Sequence, residues 1–198
     1  MEDSRPKRKA QGAGPDEEAH LPFSHSVTRN AAADCVEADD FRAGMRHMAG
    51  GVNVLTTCTG GERYGLTATS VCALSAEPPR LLACVNQRGT TFDALRRSRA
   101  LAINVLTDDQ AETAMRFAGM DGGGGDRFDG GGWEAGIGGL PILRAAACRF
   151  ECDVAEIVDA ASHAILICDV VAVSFGRAGA GALIYRHGAF FRLGGAGA

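Results

Sequence analysis

Two short apolar runs on either side of a double proline most strongly constrain how this chain can fold. The first run alternates from Val71 to Ser75, and the second extends from Leu81 to Val85, with Pro78 and Pro79 between them. Side chains that alternate with a period of two are typical of β-strands, and a proline turn between two such runs predicts a hairpin.

Polar groups flank both runs of this predicted hairpin. Thr67, Thr69 and Ser70 precede the first run, and the second is followed by Asn86, Arg88, Gly89, Thr90 and Thr91. Hydroxyl groups, backbone N–H groups and one cation in this arrangement can surround a single phosphate. An ordinary hairpin with polar ends is the alternative that composition alone favours.

The overall composition excludes several classes of function. A chain of 198 residues is long enough for one domain with a substantial core, and its formal charge of −4 argues against a nucleic-acid-binding protein. No apolar run has the length of a membrane span, and no apolar core follows the basic N-terminus as in a secretory signal. Most of the seven cysteines lie in apolar runs, which predicts reduced thiols in a soluble, cytoplasmic protein.

The charge pattern predicts a flexible arm at residues 1–35, a folded domain at 36–193 and a loose tail at 194–198. Phe41, Met45 and Met48 share one face of a predicted helix, and we expect that face to lie in the core. Thr90 or Thr91 is expected to cap a helix that extends to about Ser98. The glycine-rich segment from residue 119 to 139 is expected to be either functional or disordered.

The order of the predicted elements favours a β-barrel. At least six strand-like runs accompany two or three short helical ones, and they do not alternate as in a doubly wound sheet. A closed or nearly closed antiparallel barrel with helices packed outside it is therefore the predicted fold, of the mainly β class.

Sequence motifs for several common chemistries are absent. The chain has no GxGxxG after a strand, no Walker loop, no HExxH and no GxSxG, and the glycines at 122–125 lack the strand–turn–helix context of a phosphate loop. Cys148 and Cys152 are spaced for one face of a strand rather than for zinc, so no metal site is predicted. His163, at a turn before an apolar strand, could project into a cleft or could simply be exposed.

Five segments, in this order and spacing, resemble the short-chain flavin reductase family, the reductase components of two-component flavin-dependent monooxygenases. They cover about residues 39–193 and read FRAGMRHMAGGVNVLTT, GLTATSVCALSAEPPRLLACVN, ALAINVLTDDQAETAMRFAG, ASHAILICDVVAV and LIYRHGAFFRL. The resemblance implies an FMN-binding split β-barrel with a few short peripheral helices, usually a homodimer.

The resemblance also implies a set of site residues. It implies that Thr67, Ala68, Thr69 and Ser70 lie along the flavin ribityl chain and phosphate, and that the phosphate is enclosed by Val85, Asn86, Arg88, Gly89, Thr90 and Thr91. Val52 and Asn53 would border the isoalloxazine, and Phe117 resembles the family's aromatic residue near the cofactor. His163 is the implied catalytic residue, facing the nicotinamide with Tyr185 nearby, although Ala161 replaces the first glycine usual in that element.

The activity implied by the resemblance is NAD(P)H-dependent reduction of FMN or FAD, with NADH favoured because no arginine pair is evident for a 2′-phosphate. Reduced flavin would then diffuse to a partner monooxygenase, and neither nucleic acid nor membrane would be a partner. Two alternatives remain open at this point. One is a flavin-binding carrier or electron-transfer protein on the same barrel, and the other is an oxidase of a small substrate on a similar barrel.

Overall fold

The structure is a computed structural model that describes residues 36–120, 122, 125–130, 132–176 and 178–194. The predicted arm at 1–35 and residues 195–198 of the predicted tail lie outside these described residues. The helices in the described part are α1 (Ala38–Met45), α2 (Thr90–Ser98) and α3 (Ala111–Phe117), with a 3-10 turn at Ile137–Gly139. The strands are β1 (Gly50–Gly51), β2 (Asn53–Thr59), β3 (Glu62–Ala68), β4 (Val71–Ala76), β5 (Pro79–Asn86), β6 (Ala100–Val105), β7 (Trp133–Ala135), β8 (Pro141–Leu143), β9 (Cys148–Ala160), β10 (His163–Phe175), β11 (Ala182–Arg186) and β12 (Ala189–Leu193).

Seven antiparallel strands form the main sheet, in the order β3-β2-β6-β9-β10-β5-β4. The two edge strands, β3 and β4, follow each other in the chain and are joined only by Thr69 and Ser70. The Ser70 carbonyl accepts a hydrogen bond from the Cys84 N–H at 2.9 Å, which ties this connection to β5. The sheet therefore curls back on itself, and the predicted antiparallel barrel is confirmed.

The barrel interior is one apolar cluster. Leu55, Leu101, Ile103 and Leu166 from three strands are fully buried in it, and Phe92 and Leu95 of α2 pack against them. These side chains recur every second residue along each strand because alternate positions face the same side of a sheet. Helix α2 therefore contributes side chains to the core inside the barrel.

A second apolar layer lies on the outer surface of the barrel. Val52, Val54 and Leu106 project outward from the main sheet into a cluster that also contains Phe117 of α3 and Leu183 of β11. The strands β1, β11 and β12 form a separate three-stranded sheet. This sheet and α3 consequently sit beside each other on the same side of the barrel.

Part of the glycine-rich segment is ordered against the barrel wall. Strand β7 of this segment pairs with β8, which follows it, and the buried Asn104 side chain of β6 accepts a hydrogen bond from the Leu143 N–H of β8 at 2.7 Å. Glu151 of β9 accepts another from the Ile137 N–H at 2.5 Å, and Thr56 of β2 donates to the Pro141 carbonyl. Buried polar side chains on three strands thus hold residues 137–143 in place, and residues 137–139 of these belong to the segment for which the sequence predicted either function or disorder.

Two predictions about the helices were wrong. Helix α1 buries no side chain, and Phe41, Met45 and Met48 are each more than half exposed rather than in the core. A sequence pattern shows that these side chains share a face but not that a neighbour covers it. Helix α2 is capped by Gly89 rather than by a threonine, because the Thr91 hydroxyl donates instead to the Gly65 carbonyl at 3.1 Å.

The cysteines in the described part of the chain are free thiols, as expected. Cys152 and Cys168 are buried in the barrel, and loss of water around them raises the pKa of each thiol to about 12, with nearby carboxylates adding to the effect. Cys72 is exposed on β4 at the sheet edge, although it lies in an apolar run of the sequence. Of the helices in the described segments, none combines the length and the apolar character needed to cross a membrane.

Candidate functional site

A cleft of about 180 Å³ lies where β3, α3 and the β11–β12 hairpin meet. Thr67, Ala68 and Thr69 form one side, and the other lining residues are Ala118, Met120, Tyr185 and Phe190. We call this space the ring cleft, because hydroxyl groups on one side and flat apolar side chains on the other suit a planar polar heterocycle. Of the predicted site residues, the structure brings Thr67, Ala68, Thr69 and Tyr185 together here.

Close backbone contacts fix the position of the ring cleft. The Thr67 hydroxyl donates to the Ala114 carbonyl of α3 at 2.6 Å, which anchors the helix beside β3. A Cβ atom added to Gly50 would lie 2.9 Å from the Cβ of Thr69, so only glycine allows β1 to pass this close. Gly50 in turn pairs with Tyr185, which places the tyrosine beside the cleft.

The residues from Asn86 to Thr90, which we call the donor loop, connect β5 to α2. The Asn86 side-chain oxygen accepts the Arg88 N–H at 2.9 Å and closes a tight turn. Gly89 is the N-cap of α2, and the first N–H groups of a helix have no acceptor within the helix. Arg88 and Thr90 are exposed beside these N–H groups. The donor loop therefore combines a cation, a hydroxyl and a helix N-terminus, which suits an anion.

His163 belongs to the donor-loop side of the site rather than to the ring cleft. It is the first residue of β10, pairs with Asn86 of β5 and is exposed, and its Nδ1 lies 2.9 Å from the Ser162 hydroxyl. Gln87 links the donor loop to the start of β10, because its side-chain amide donates to the His163 carbonyl at 2.8 Å. The Gln87 N–H also bonds to the Ser162 carbonyl at 3.1 Å.

Five predicted site residues have their side chains inside the protein. Val52, Val85, Thr91 and Phe117 are almost completely buried, and Asn53 is 6% exposed, with its amide donating to the Gly51 and Ala68 carbonyls. The Phe117 ring packs edge-on against Phe128, with 5.0 Å between the ring centroids. These five side chains support the walls of the site and do not line the ring cleft.

Four other residues at the site were missed by the sequence prediction: Gln87, Ala118, Met120 and Phe190. Gln87 lies between predicted site residues, but its amide bonds to the carbonyl of His163, 76 residues later in the chain. Phe190 contacts Tyr185 with tilted rings, 5.2 Å apart between centroids, and the hairpin at His187–Gly188 was the available signal for this pairing. Met120 had one signal, since Gly119 marks the end of the preceding helix.

The donor set fits a phosphorylated flavin. Thr69 and Ser70 follow the ring-cleft residues of β3. The Ser70 carbonyl accepts a hydrogen bond from the N–H of Cys84 in β5, two residues before the donor loop begins. Hydroxyl groups therefore lie between a space for a planar ring and a cluster of anion-binding donors. A tail of hydroxylated carbons ending in a phosphate would meet suitable partners along this path.

Comparisons with known proteins agree with this geometry. Residues 45–194 match the family described as the flavin reductase like domain. The chain is 39% identical over 165 residues to the FMN reductase (NADH) RutF of Pseudomonas syringae, a match that covers 83% of this chain and 92% of the relative. It is 32% identical to the 4-hydroxyphenylacetate 3-monooxygenase reductase component of Pseudomonas aeruginosa, covering 77% of this chain and 90% of that protein.

A solved structure gives the same result for the fold. An NADH:FAD oxidoreductase of Streptomyces globisporus superposes with a TM-score of 0.72 and 27% sequence identity, covering 81% of this chain and 98% of the other. The barrel, the cleft and the extent of the match lead to one conclusion. This chain belongs to the flavin reductase family, and its fold is the split β-barrel of that family.

Proposed function

We propose that this protein is an NAD(P)H:flavin oxidoreductase that reduces FMN or FAD and supplies the reduced flavin to a partner flavin-dependent monooxygenase. The observation that carries the proposal is that the exposed Thr69 and Ser70 follow directly on the ring cleft, and that the Ser70 carbonyl bonds to the Cys84 N–H two residues before the donor loop. The names of the relatives, an FMN reductase using NADH and a monooxygenase reductase component, support the same activity.

The residues of this chain bind and orient the reactants. Arg88 and the N-terminus of α2 would hold the flavin phosphate, and the hydroxyls of Thr69 and Ser70 would hold the ribityl chain. Flavin and nicotinamide, when bound, supply the hydride acceptor and donor themselves. Fixing two reacting groups in a productive orientation can remove about 7 kcal/mol or more from a barrier, so this chain needs little further catalytic equipment.

The role of His163 as a hydrogen-bonding group for the nicotinamide rests on the family resemblance, and it requires the bound nicotinamide to reach the donor-loop side of the site. The ring of His163 is exposed, and contact with the Ser162 hydroxyl limits the orientations of the imidazole. A group held in this way can orient an amide without accepting a proton in the reaction. We therefore assign His163 a binding role and no obligatory acid–base step.

NADH is the favoured reductant, and either FMN or FAD fits the site. The names of two relatives specify NADH, one with FMN and the other with FAD. Because both flavins carry the phosphate that the donor loop would bind, the loop does not discriminate between them. A cytoplasmic location is part of the proposal, supported by the free thiols in the described part of the chain.

We also propose that the protein is a homodimer whose domain spans residues 36–193. Support comes from a row of apolar side chains exposed along the outer side of β10, namely Val171, Val173 and the 76% exposed Phe175. Leu74 on the neighbouring edge of the sheet is exposed as well. Apolar surface of this kind is typical of an interface, and a two-fold axis is the commonest way to cover it.

The direct test of the activity is consumption of NADH by the purified protein with and without added FMN. We expect NADH oxidation that requires flavin and saturates with increasing FMN. Tight flavin binding without NADH oxidation would favour the alternative, a flavin carrier or electron-transfer protein. Flavin that remains bound through purification would indicate a prosthetic group rather than a diffusing substrate.

The role of the donor loop is tested by Arg88→Ala. Loss of a charge-assisted hydrogen bond should weaken FMN binding by roughly tenfold or more, and riboflavin, which lacks the phosphate, should be affected much less. Arg97→Ala is the matched control, because it removes the same charge from an exposed site in the last turn of α2. Equal weakening of FMN and riboflavin would show that Arg88 does not bind the phosphate.

A further inference from the structure

Met120 is held at the edge of the ring cleft by a defined turn rather than by a loose loop. Helix α3 ends at Phe117, and Gly119 adopts a positive φ of 72°. The Gly119 N–H bonds to the Arg116 carbonyl at 3.1 Å, and the Met120 N–H bonds to the Met115 carbonyl at 2.9 Å. This pair of hydrogen bonds is the Schellman arrangement, which fixes the backbone for the residue that follows the glycine.

The side chain of Met120 is apolar, 65% exposed and part of the cleft lining. Tyr185 and Phe190 of the β11–β12 hairpin line the same cleft, and their rings contact each other at an angle of 58°. The cleft thus has a flexible thioether on one element and an aromatic pair on another. A thioether makes favourable contacts with aromatic rings and adapts to their shape.

We propose that Met120 is a specificity-determining residue that contacts the isoalloxazine ring and sets the affinity of the site for the flavin ring as distinct from its phosphate tail. This inference rests on the proposed function, because the ligand is taken to be a flavin. It separates two contributions to binding: Met120 acts on the ring, whereas Arg88 in the donor loop acts on the phosphate.

Binding of lumiflavin, the flavin ring without the ribityl phosphate, tests the proposal independently of catalysis. Quenching of ligand fluorescence gives dissociation constants for lumiflavin and FMN with the full-length wild-type protein and Met120→Ala. We expect Met120→Ala to weaken both ligands by the same factor, roughly 3- to 10-fold. Met120→Leu should restore most of the affinity because it restores the apolar contact.

Met115→Ala is the matched control. Met115 has the same side chain, lies in α3 five residues before Met120 and does not line the cleft, and its backbone carbonyl still accepts the Met120 N–H in the variant. We expect its dissociation constants to stay within about twofold of wild type. Met120→Gln, which keeps the length of the side chain but makes it polar, should lose affinity for lumiflavin as Met120→Ala does.

The measurements distinguish failure of the role proposed for Met120 from failure of the proposed function. If Met120→Ala binds lumiflavin and FMN as tightly as wild type while wild type reduces FMN with NADH, the role of Met120 is wrong and the proposed function stands. A loss of FMN affinity without any loss of lumiflavin affinity would also overturn the inference, because it would place Met120 at the tail. If wild type neither binds nor reduces any flavin, the proposed function itself fails.

Discussion

Individual hydrogen bonds decide which hydroxyl groups at the barrel mouth can donate to a ligand. Thr67 and Thr91 donate to the carbonyls of Ala114 and Gly65, at 2.6 and 3.1 Å, so their protons are used within the protein. Thr69 and Thr90 are exposed, and Ser70 is exposed between them in the path to the donor loop. Three hydroxyl groups therefore remain for a flavin tail, fewer than a count of threonines and serines in the sequence would suggest.

His163→Ala should raise the KM for NADH more than it raises the dissociation constant of FMN. Loss of one hydrogen bond corresponds to roughly a 2- to 10-fold change in a binding constant, and we expect this change in the KM for NADH. Steady-state kinetics with NADH and a separate FMN titration provide both values. Ser162→Ala, which removes only the hydroxyl beside Nδ1, should have a smaller effect of the same kind. An unchanged KM together with weaker FMN binding would show that His163 acts on the flavin.

Among the residues of the candidate site, the sequence predicted those that are neighbours in the chain. It missed those that come together only in the folded structure. Thr67 to Ser70, and Asn86 with Arg88 to Thr90, were predicted because each group lies in a polar segment next to a strand. Met120 and Phe190 come from separate elements, and the helix end at Gly119 and the hairpin at His187–Gly188 do not indicate that the two residues meet at one cleft. Val52 and Phe117 are buried supports, which the family resemblance alone could not separate from ligand contacts.

Among the elements, the segment at residues 137–143 depends on polar side chains of the barrel more than on its own apolar residues. Asn104 is fully buried, and its amide donates to the Val54 carbonyl at 3.1 Å and to the Thr56 hydroxyl at 3.2 Å. Its oxygen accepts the Leu143 N–H. A glycine-rich sequence has little intrinsic preference for one conformation, so these bonds have a large share in fixing it.

Asn104→Ala should lower the free energy of unfolding by about 2–3 kcal/mol, because it leaves the buried Leu143 N–H without its acceptor. Urea-induced unfolding measures the effect, and the midpoint should fall while the slope stays constant. Asn86→Ala removes only an exposed hydrogen bond to the Arg88 N–H and should lower the stability by no more than about 1 kcal/mol. Equal stability of both variants would contradict the role given to Asn104.

A second contact between elements joins the turn after α1 to the β11–β12 hairpin. The rings of His47 and His187 are 4.5 Å apart, and the His187 N–H donates to the Arg46 carbonyl at 3.0 Å. Loss of water around the His187 ring lowers its pKa, and the nearby charges of His47, Arg186 and Arg46 lower it further. The folded protein therefore favours neutral His187, on a hairpin that also carries Tyr185.

This contact should make the protein less stable in mild acid. Because the pKa of His187 is lower in the folded than in the unfolded chain, the unfolded chain binds more protons as the pH falls through about 6.5, the ordinary histidine value. The stabilisation is complete above that pH and is lost below it. His187→Asn, which tolerates the positive φ of 51°, should reduce the decrease in Tm between about pH 7 and 5. Parallel pH profiles for variant and wild type would contradict this account.

For the whole molecule, the barrel could be predicted from the sequence, but which apolar faces on its outside are exposed could not. Alternating strands, the proline hairpin and the lack of βαβ order were sufficient for an antiparallel barrel, which the structure confirms. Whether an apolar face is covered depends on contacts that a single sequence does not specify. The face of α1 was predicted to lie in the core and is exposed, and the outer row on β10 is exposed as well.

The exposed row on β10 predicts the oligomeric state. We expect sedimentation to give twice the 20.5 kDa mass of one chain, because pairing two copies removes apolar surface from water. Val173→Asp should shift the protein toward monomer, since it places a charge in the row. Met48→Asp, at an exposed apolar residue of another surface, should leave the dimer intact. A wild-type monomer at micromolar concentration would contradict the proposed homodimer.

The most direct test of the central claim is anaerobic mixing of NADH with the protein and one equivalent of FMN. We predict that the yellow absorbance of oxidised FMN disappears in a single turnover, at a rate no slower than steady-state NADH oxidation. Arg88→Ala should require more FMN to reach the same rate. If the protein binds FMN but the flavin stays oxidised in the presence of NADH, the assignment as a flavin reductase is wrong.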